Sequence, residues 1–183
     1  MVRSFADDPI PDEVLDRIMG NAVRAPSAGF SQGWAFLMLV GRAETAVFWQ
    51  AIGDPAWLAA PDHPGLLRAP VIIVPLTDEA TYRERYAQAD KTAGTLDSVP
   101  YWMVDTSFAT MLILLSAADV GLGALFFGLQ GRDDTMLNAL GVPAGFRPIG
   151  AVALGWPDHK DHPSPSLARG RRSGESVVHR GHW

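Results

Sequence analysis

The stretch Arg24-Ala25-Pro26-Ser27-Ala28-Gly29-Phe30-Ser31-Gln32-Gly33-Trp34 decides how this chain is read. Pro26 disfavours the α region at Ala25, so a helix arriving from the N-terminal side must stop there. Ser27, Gly29, Ser31 and Gly33 are small or flexible, which lets backbone N–H groups approach a ligand closely. A plain turn uses the same residues. Gly29-Phe30-Ser31-Gln32-Gly33 also fits Gly-x-Ser-x-Gly, but a nucleophile elbow needs a strand-to-helix turn and this turn runs from helix to strand, which argues against a hydrolase.

Upstream, Val14, Leu15, Ile18, Met19, Ala22 and Val23 recur at helical spacing, with Asp12 as the expected N-cap and Glu13 at the positive helix end. Downstream, Ala35–Val40 is a continuous apolar run between Gly33 and Gly41, as in a strand buried on both faces. A short helix is expected over Glu44–Ile52, turns over Asp54–Pro64 and a helical turn at Leu66-Leu67. A second strand is expected at Val71–Val74, then a helix capped by Thr77 and running to about Ala89. Lys91–Pro100 is polar and aperiodic, hence a loop. The longest helix is expected from Tyr101 to Val120. Val104, Phe108, Met111, Leu112, Leu115 and Ala118 form one apolar stripe, widened by Ile113 and Leu114. A helix this apolar needs cover on several sides, which points to a dimer interface. Asp105 within it is expected to be satisfied near the helix start rather than catalytic.

Gly121-Leu122-Gly123 follows a helix and enters a strand-like run, and it lacks the third glycine, so it is not a dinucleotide fingerprint. A short helix from Asp133 or Asp134, ended by Gly141, precedes a last strand over Pro148–Leu154. Beyond Trp156-Pro157 no period returns until Ser176-Val177-Val178.

At 183 residues the chain is long enough for one domain that buries about 70% of its unfolded surface. The absence of cysteine excludes disulfides and thiolate chemistry. His159 and His162 lie in a loop without a second ligand pair, so no metal site is expected. No signal-peptide pattern opens the sequence, and the uncharged run Thr106–Ala118 is too short to span a bilayer, so a cytoplasmic protein without membrane attachment is expected. The net charge of −5 disfavours nucleic acid. Pro165–Trp183 nevertheless holds four arginines and one acid, leaving −8 on the rest, and such a local basic cluster suits one small anion or a solvated tail.

The loop resembles the Ala-Pro-Ser-x-x-Asn-x-Gln-Pro-Trp motif of the nitroreductase family, with Pro26, Ser27, Gln32 and Trp34 matching. Arg3-Ser4-Phe5, Leu66–Val74, Tyr101–Asp105 with the helix into Gly121–Ala124, and Arg169-Gly170-Arg171 resemble further landmarks in that family's order. The resemblance implies an α+β, nitroreductase-like fold. Its central mixed or antiparallel sheet is flanked by helices, and a long buried central helix lies at a homodimer interface. One domain spans 1–183, with an extended C-terminal arm from about residue 157.

It further implies FMN, reduced by NAD(P)H and reoxidised by a nitroaromatic, a quinone or a similar small planar acceptor, with the chemistry carried by the flavin and no catalytic side chain. Arg3, Arg169 and Arg171 would hold the phosphate. Pro26, Ser27, Ala28 and Gln32 would lie near the ribityl chain or ring edge. Leu125, Phe126, Phe127 and Gly128 would line the ring and offer backbone donors. Phe30, Trp57, Tyr101 and Trp102, with the Lys91–Trp102 region, would shape the substrate opening, and Ser176–His179 would add a strand to the partner's sheet.

Phe30 replaces the family's Asn, Gly33 its Pro, and Gly128 stands near the acid that some relatives carry. The first arginine and the serine of the N-terminal motif have no counterpart, so the chain is expected either to begin late or to bind phosphate less tightly. Two alternatives stay open: an FMN storage or sequestration protein without turnover, and a specialised branch such as reductive dehalogenation or flavin fragmentation.

Overall fold

In the computed structural model, which describes residues 1–91, 96 and 98–183, five strands form one sheet. They are β1 (Trp34–Val40), β2 (Val71–Asp78), β3 (Gly123–Phe127), β4 (Phe146–Pro148) and β5 (Ala151–Gly155), in the order β1-β2-β5-β3 with β4 beside the far end of β2. Every described pairing is antiparallel. The apolar runs alternate between two cores. Ile72, Val74, Ala153, Leu125 and Leu39 point to one, and Val71, Ile73, Val152 and Leu154 point to the other.

Helices α1 (Asp12–Ala22) and α5 (Tyr101–Asp119) cover the second core, and α2 (Gly41–Ile52) and α6 (Asp133–Ala139) the first. The short α3 (Pro55–Ala59) and α4 (Glu79–Tyr86) complete the helices of the described residues. Burial on both faces explains why β2 and β5 read as unbroken apolar runs although the sheet is antiparallel. The expected burial of Ala35–Val40 on both faces does not hold: β1 lies at the sheet edge and is mostly half-buried, with only Leu39 buried and Val40 exposed.

Several boundaries differ from the sequence reading. The α1 N-cap is Pro11, so Asp12 and Glu13 act through the helix dipole rather than as caps. Asp78, not Thr77, caps α4 by accepting from Ala80 N–H (3.0 Å), because β2 runs four residues further than the expected Val71–Val74, and α4 ends at Tyr86. Helix α2 starts at Gly41, where φ of +79° turns the chain out of β1. Asp54 caps α3 inside the expected turn region. The last strand is two, divided at Ile149-Gly150. Gly150 has φ of +143° there, and a Cβ would lie 2.6 Å from the Phe126 ring. Ser176–Val178 lies at a 3₁₀ turn (Gly174–Ser176) and its end, not in a strand of this chain. The expected Lys91–Pro100 loop includes residues 92–95 and 97, which lie outside the described residues.

Helix α5 is buried along one face only. Asp105, Thr106, Ala109, Thr110, Ile113 and Ala117 face inward, whereas Phe108, Met111 and Leu115 of the expected stripe are 47–58% exposed. Its length and mean hydropathy of 1.3 would suit a membrane span, but its polar inner face packs on α1, β2 and β3 as in a core helix.

Two glycine substitutions test this architecture in opposite directions by urea denaturation. Gly150→Ala forces a Cβ against Phe126 and is expected to cost roughly 1–3 kcal/mol. Gly20→Ala, exposed in α1 with open space around it, is expected to add about 0.5–1 kcal/mol.

Candidate functional site

The C-terminal end of β3 forms one wall of a cavity of about 600 Å³. Leu125, Phe126, Phe127 and Gly128 line it together with Arg3, Trp49, Trp57, His63 and Arg132. Among the described residues strand β3 pairs only with β5 and forms a sheet edge, and Ala124 C=O on its outer side accepts from Val2 N–H at 3.0 Å. Antiparallel alternation turns the N–H of Phe126 to the same outer side. Trp49 stacks on Phe127 (centroids 5.6 Å, planes 12° apart) and approaches Trp57 (6.2 Å), so the wall is aromatic. The indole Nε1 of Trp49 is buried without a partner.

Arg3 also opens onto a smaller compartment of about 370 Å³, lined by His63, Arg68, Lys160 and His162 with Asp62 and Asp161. Its floor ties the N-terminal segment to the loop after β5. Arg3 N–H and Ser4 N–H both donate to Asp161 Oδ1 (2.7 and 2.9 Å). Ser4 O–H and Arg68 donate to Asp158 Oδ2, and His159 Nδ1 lies 2.7 Å from Asp158 Oδ1. Burial pushes the Asp158 carboxyl pKa up, but Lys160 N–H, Arg68, Ser4 and His159 outweigh it and hold it below the ordinary carboxylate range. Arg68 Nε is buried and unpartnered. A Cβ on Gly65 would overlap Ser4, so only glycine admits this approach.

The Pro26–Trp34 loop lies elsewhere. Ala28 N–H and Tyr82 O–H donate to the same oxygen of the buried Asp105, at 2.7 and 2.8 Å. Ser27 Oγ accepts from Gln32 N–H (2.8 Å), and Arg85 Nε–H donates to Gly29 C=O (2.9 Å) while its fork holds Asp90. That fork draws the Asp90 carboxyl down to about 2. Burial pushes the Tyr82 hydroxyl pKa upward, Ser27 opposes it, and Asp105 adds to the rise, so Tyr82 stays a proton donor. Held this way, Gly29, Phe30 and Gln32 all take positive φ (62°, 55° and 53°). Each of the two non-glycine residues costs roughly 1–2 kcal/mol there. Phe30 is 78% exposed. Gly33 lets the Tyr82 ring press on the backbone, since a Cβ would lie 2.6 Å from it.

The residues expected at the site therefore fall into three groups. Arg3, Leu125, Phe126, Phe127, Gly128 and Trp57 meet at the cavity. Pro26, Ser27, Ala28, Phe30 and Gln32 gather at the β1 edge, near Tyr101 and Trp102; Trp102 C=O accepts from Thr77 Oγ1 (2.7 Å). The two edges are separated by β2 and β5, about 14 Å at normal strand spacing. Arg169 and Arg171 are exposed beyond the sheet and line neither space.

Sequence reasoning gave no role to Arg68, Arg132, Tyr82 or Arg85. It placed Asp105 correctly as satisfied but missed its partners, which lie 23 and 77 residues away. Arg68 sat within a quoted landmark, and its charge just before a buried strand was the available signal.

The model of the Nitroreductase family matches residues 1–156. A protein of Archaeoglobus fulgidus named NADH dehydrogenase/NAD(P)H nitroreductase is 30% identical over 172 residues, covering 87% of this chain and 82% of its own. The 5,6-dimethylbenzimidazole synthase of Rhodospirillum rubrum is 28% identical, with coverages of 92% and 82%. The FMN reductase [NAD(P)H] of Bacillus subtilis is 23% identical, with coverages of 91% and 66%. Among solved structures, the oxidoreductase YcnD of Bacillus subtilis superposes on 100% of this chain and 70% of its own with a TM-score of 0.76 at 23% identity, a likeness of fold.

The tie between Ser4, Arg68 and Asp158 has a pH signature. A lowered carboxyl pKa stabilises the fold above the unfolded value, about 3.9, and that contribution disappears as pH falls through the folded value. Thermal melts are expected to be flat near neutrality and to fall below about pH 4, with a shallower acid limb in Asp158→Asn. Gly33→Ala is expected to cost roughly 1–3 kcal/mol by displacing Tyr82, measured by the same melts at neutral pH.

Proposed function

The chain belongs to the nitroreductase family and is an oxidoreductase, and we propose that it works through FMN, taking electrons from NAD(P)H and passing them to a small planar acceptor such as a nitroaromatic or a quinone. One observation carries this reading: Arg3 and Leu125–Gly128, more than 120 positions apart, line one cavity with an aromatic wall. About 600 Å³ is within the roughly 300–1,000 Å³ of cofactor sites. The residues fit the group. A flat ring needs apolar faces, which Trp57, Leu125 and Phe127 supply, and hydrogen-bonding edges, which the outer side of β3 supplies. The phosphate needs fixed cations, and Arg3, which lines both the cavity and the compartment beside it, would supply one, with Arg68 in the wall of that compartment.

Bound FMN supplies two-electron chemistry on its ring. Everything else falls to the chain. The β3 edge orients the ring and sets N–H donors where negative charge grows on reduction, an electrostatic stabilisation that needs no titrating side chain. Arg3 fixes the charged tail, held in place by Asp161 through two backbone N–H groups. The aromatic wall excludes water from one side.

The second half of the site comes from a second copy in this reading. The Pro26–Trp34 loop lies on the opposite sheet edge from the cavity, too far away to close it within one chain. The exposed Phe108, Met111 and Leu115 on α5 give a second copy an apolar surface to cover. The C-terminal arm from about residue 157 would carry Arg169 and Arg171 to the phosphate within that dimer, in the cytoplasm. A second reading is the flavin fragmentation left open above: the product named for the 5,6-dimethylbenzimidazole synthase carries the same dimethylbenzene ring as flavin, which favours breakdown of bound flavin in place of repeated use.

Purified protein is expected to be yellow, and NADH or NADPH should bleach it anaerobically. A protein that stays yellow is a carrier, loss of ring absorbance with a new small aromatic product in air is the breakdown reaction, and a colourless protein that takes up no added FMN overturns the reading. Arg169→Ala with Arg171→Ala is expected to weaken FMN binding by several kcal/mol, at roughly 1.5–3 per charged hydrogen bond. Unchanged affinity removes both from the site.

A further inference from the structure

We propose that Asp105 and Tyr82 are positioning residues: they latch the 27–32 loop in its left-handed backbone and thereby hold the exposed Phe30 ring where it closes the flavin site of a second copy. The inference rests on the dimeric flavin reading above. Asp105 lies 3% exposed and Tyr82 fully buried, yet both turn their polar atoms to the loop rather than to each other alone. One carboxylate oxygen takes Ala28 N–H and Tyr82 O–H, and the Tyr82 hydroxyl lies 3.4 Å from Ser27 Oγ. Ser27 Oγ in turn takes Gln32 N–H across the loop. From outside, Arg85 Nε–H holds Gly29 C=O.

Burying a carboxylate among apolar residues of α5 is costly, and a plain turn does not require it. Nor does a plain turn require two non-glycine residues at positive φ within three positions. Such backbone persists only where its surroundings over-determine it, and here donors and acceptors fix the loop from both sides. What this strain achieves is the outward projection of one large aromatic side chain, on the edge of the sheet opposite the cavity. A planar ring is the partner that such a surface fits, by stacking. Gly33 belongs to the same device. Without a side chain at that position, Tyr82 can lie against the strand entry and still reach Asp105.

The test compares Asp105→Ala, Asp105→Asn and Tyr82→Phe in the full chain with FMN. Asn keeps an oxygen able to accept from both donors, whereas Ala removes it. Asp105→Ala is expected to raise amide exchange at residues 28–32 at least tenfold. It is also expected to raise the KM for planar acceptors about tenfold while kcat changes less than twofold, and Asp105→Asn should restore both. Should Asp105→Ala not fold, Tyr82→Phe, which retains the acid and the ring, is expected to show the same split at about threefold. Faster exchange without a change in KM would make the latch merely structural and overturn the proposal, as would unchanged exchange. These outcomes stay separate from the parent reading, which fails if the unaltered protein binds no FMN or runs as a monomer in sedimentation.

Discussion

An antiparallel sheet buried on both faces must be covered twice, and this chain meets that demand by spending its helices on the faces and leaving its edges open. The consequence is a division of chemistry between the two edges. At β3 the open edge carries outward backbone groups, an aromatic wall and Arg3. At β1 it carries the strained loop and Phe30. In the proposed reading neither edge alone encloses the planar ligand. The outer face of α5 leaves Phe108, Met111 and Leu115 toward solvent, and in the proposed dimer covering that face and joining the two edges would be one event.

Two small polar devices hold these edges in shape, and they share a logic. Each uses a carboxylate to collect backbone N–H groups that the sheet does not reach. Asp161 takes Arg3 and Ser4 N–H, while Asp105 takes Ala28 N–H and the Tyr82 hydroxyl. Glycine makes both approaches possible, Gly65 beneath Ser4 and Gly33 beneath Tyr82. The two devices fix chain segments whose own apolar content is too low to fix them, which is where binding residues belong if they are to be positioned without being buried.

Much of this was legible in the sequence because it depends on local pattern. Ala35–Val40 and Val71–Val74 announced strands, of which the second is buried on both faces, the Tyr101–Val120 period announced the long helix, and Pro26 announced its turn. The resemblance paired Arg3 with Leu125–Gly128, and the fold brings them to one cavity. What stayed hidden depends on distant partners. Nothing near Asp105 reveals that Ala28 lies against it, and the polar Thr106 and Thr110 turn inward while Phe108 and Met111 turn out, the reverse of what apolarity alone implies for a lone chain. That reversal is the observation behind the proposed second copy over this helix. The departures at Phe30 and Gly33 also looked unrelated in sequence. In space they flank one latch, where Gly33 makes room for Tyr82 and Phe30 occupies a backbone that Asn enters more readily.

The most direct test of a site shared between two copies is complementation between subunits. Arg3→Ala carries damage on the cavity side and Phe30→Ala with Gln32→Ala on the loop side; each protein is prepared alone, then the two are mixed under conditions that exchange subunits. If each site takes its cavity from one copy and its loop from the other, half the dimers are mixed and each has one undamaged site, so about a quarter of the sites recover full FMN affinity. If the site lies within one chain, mixing restores none, and the account is contradicted.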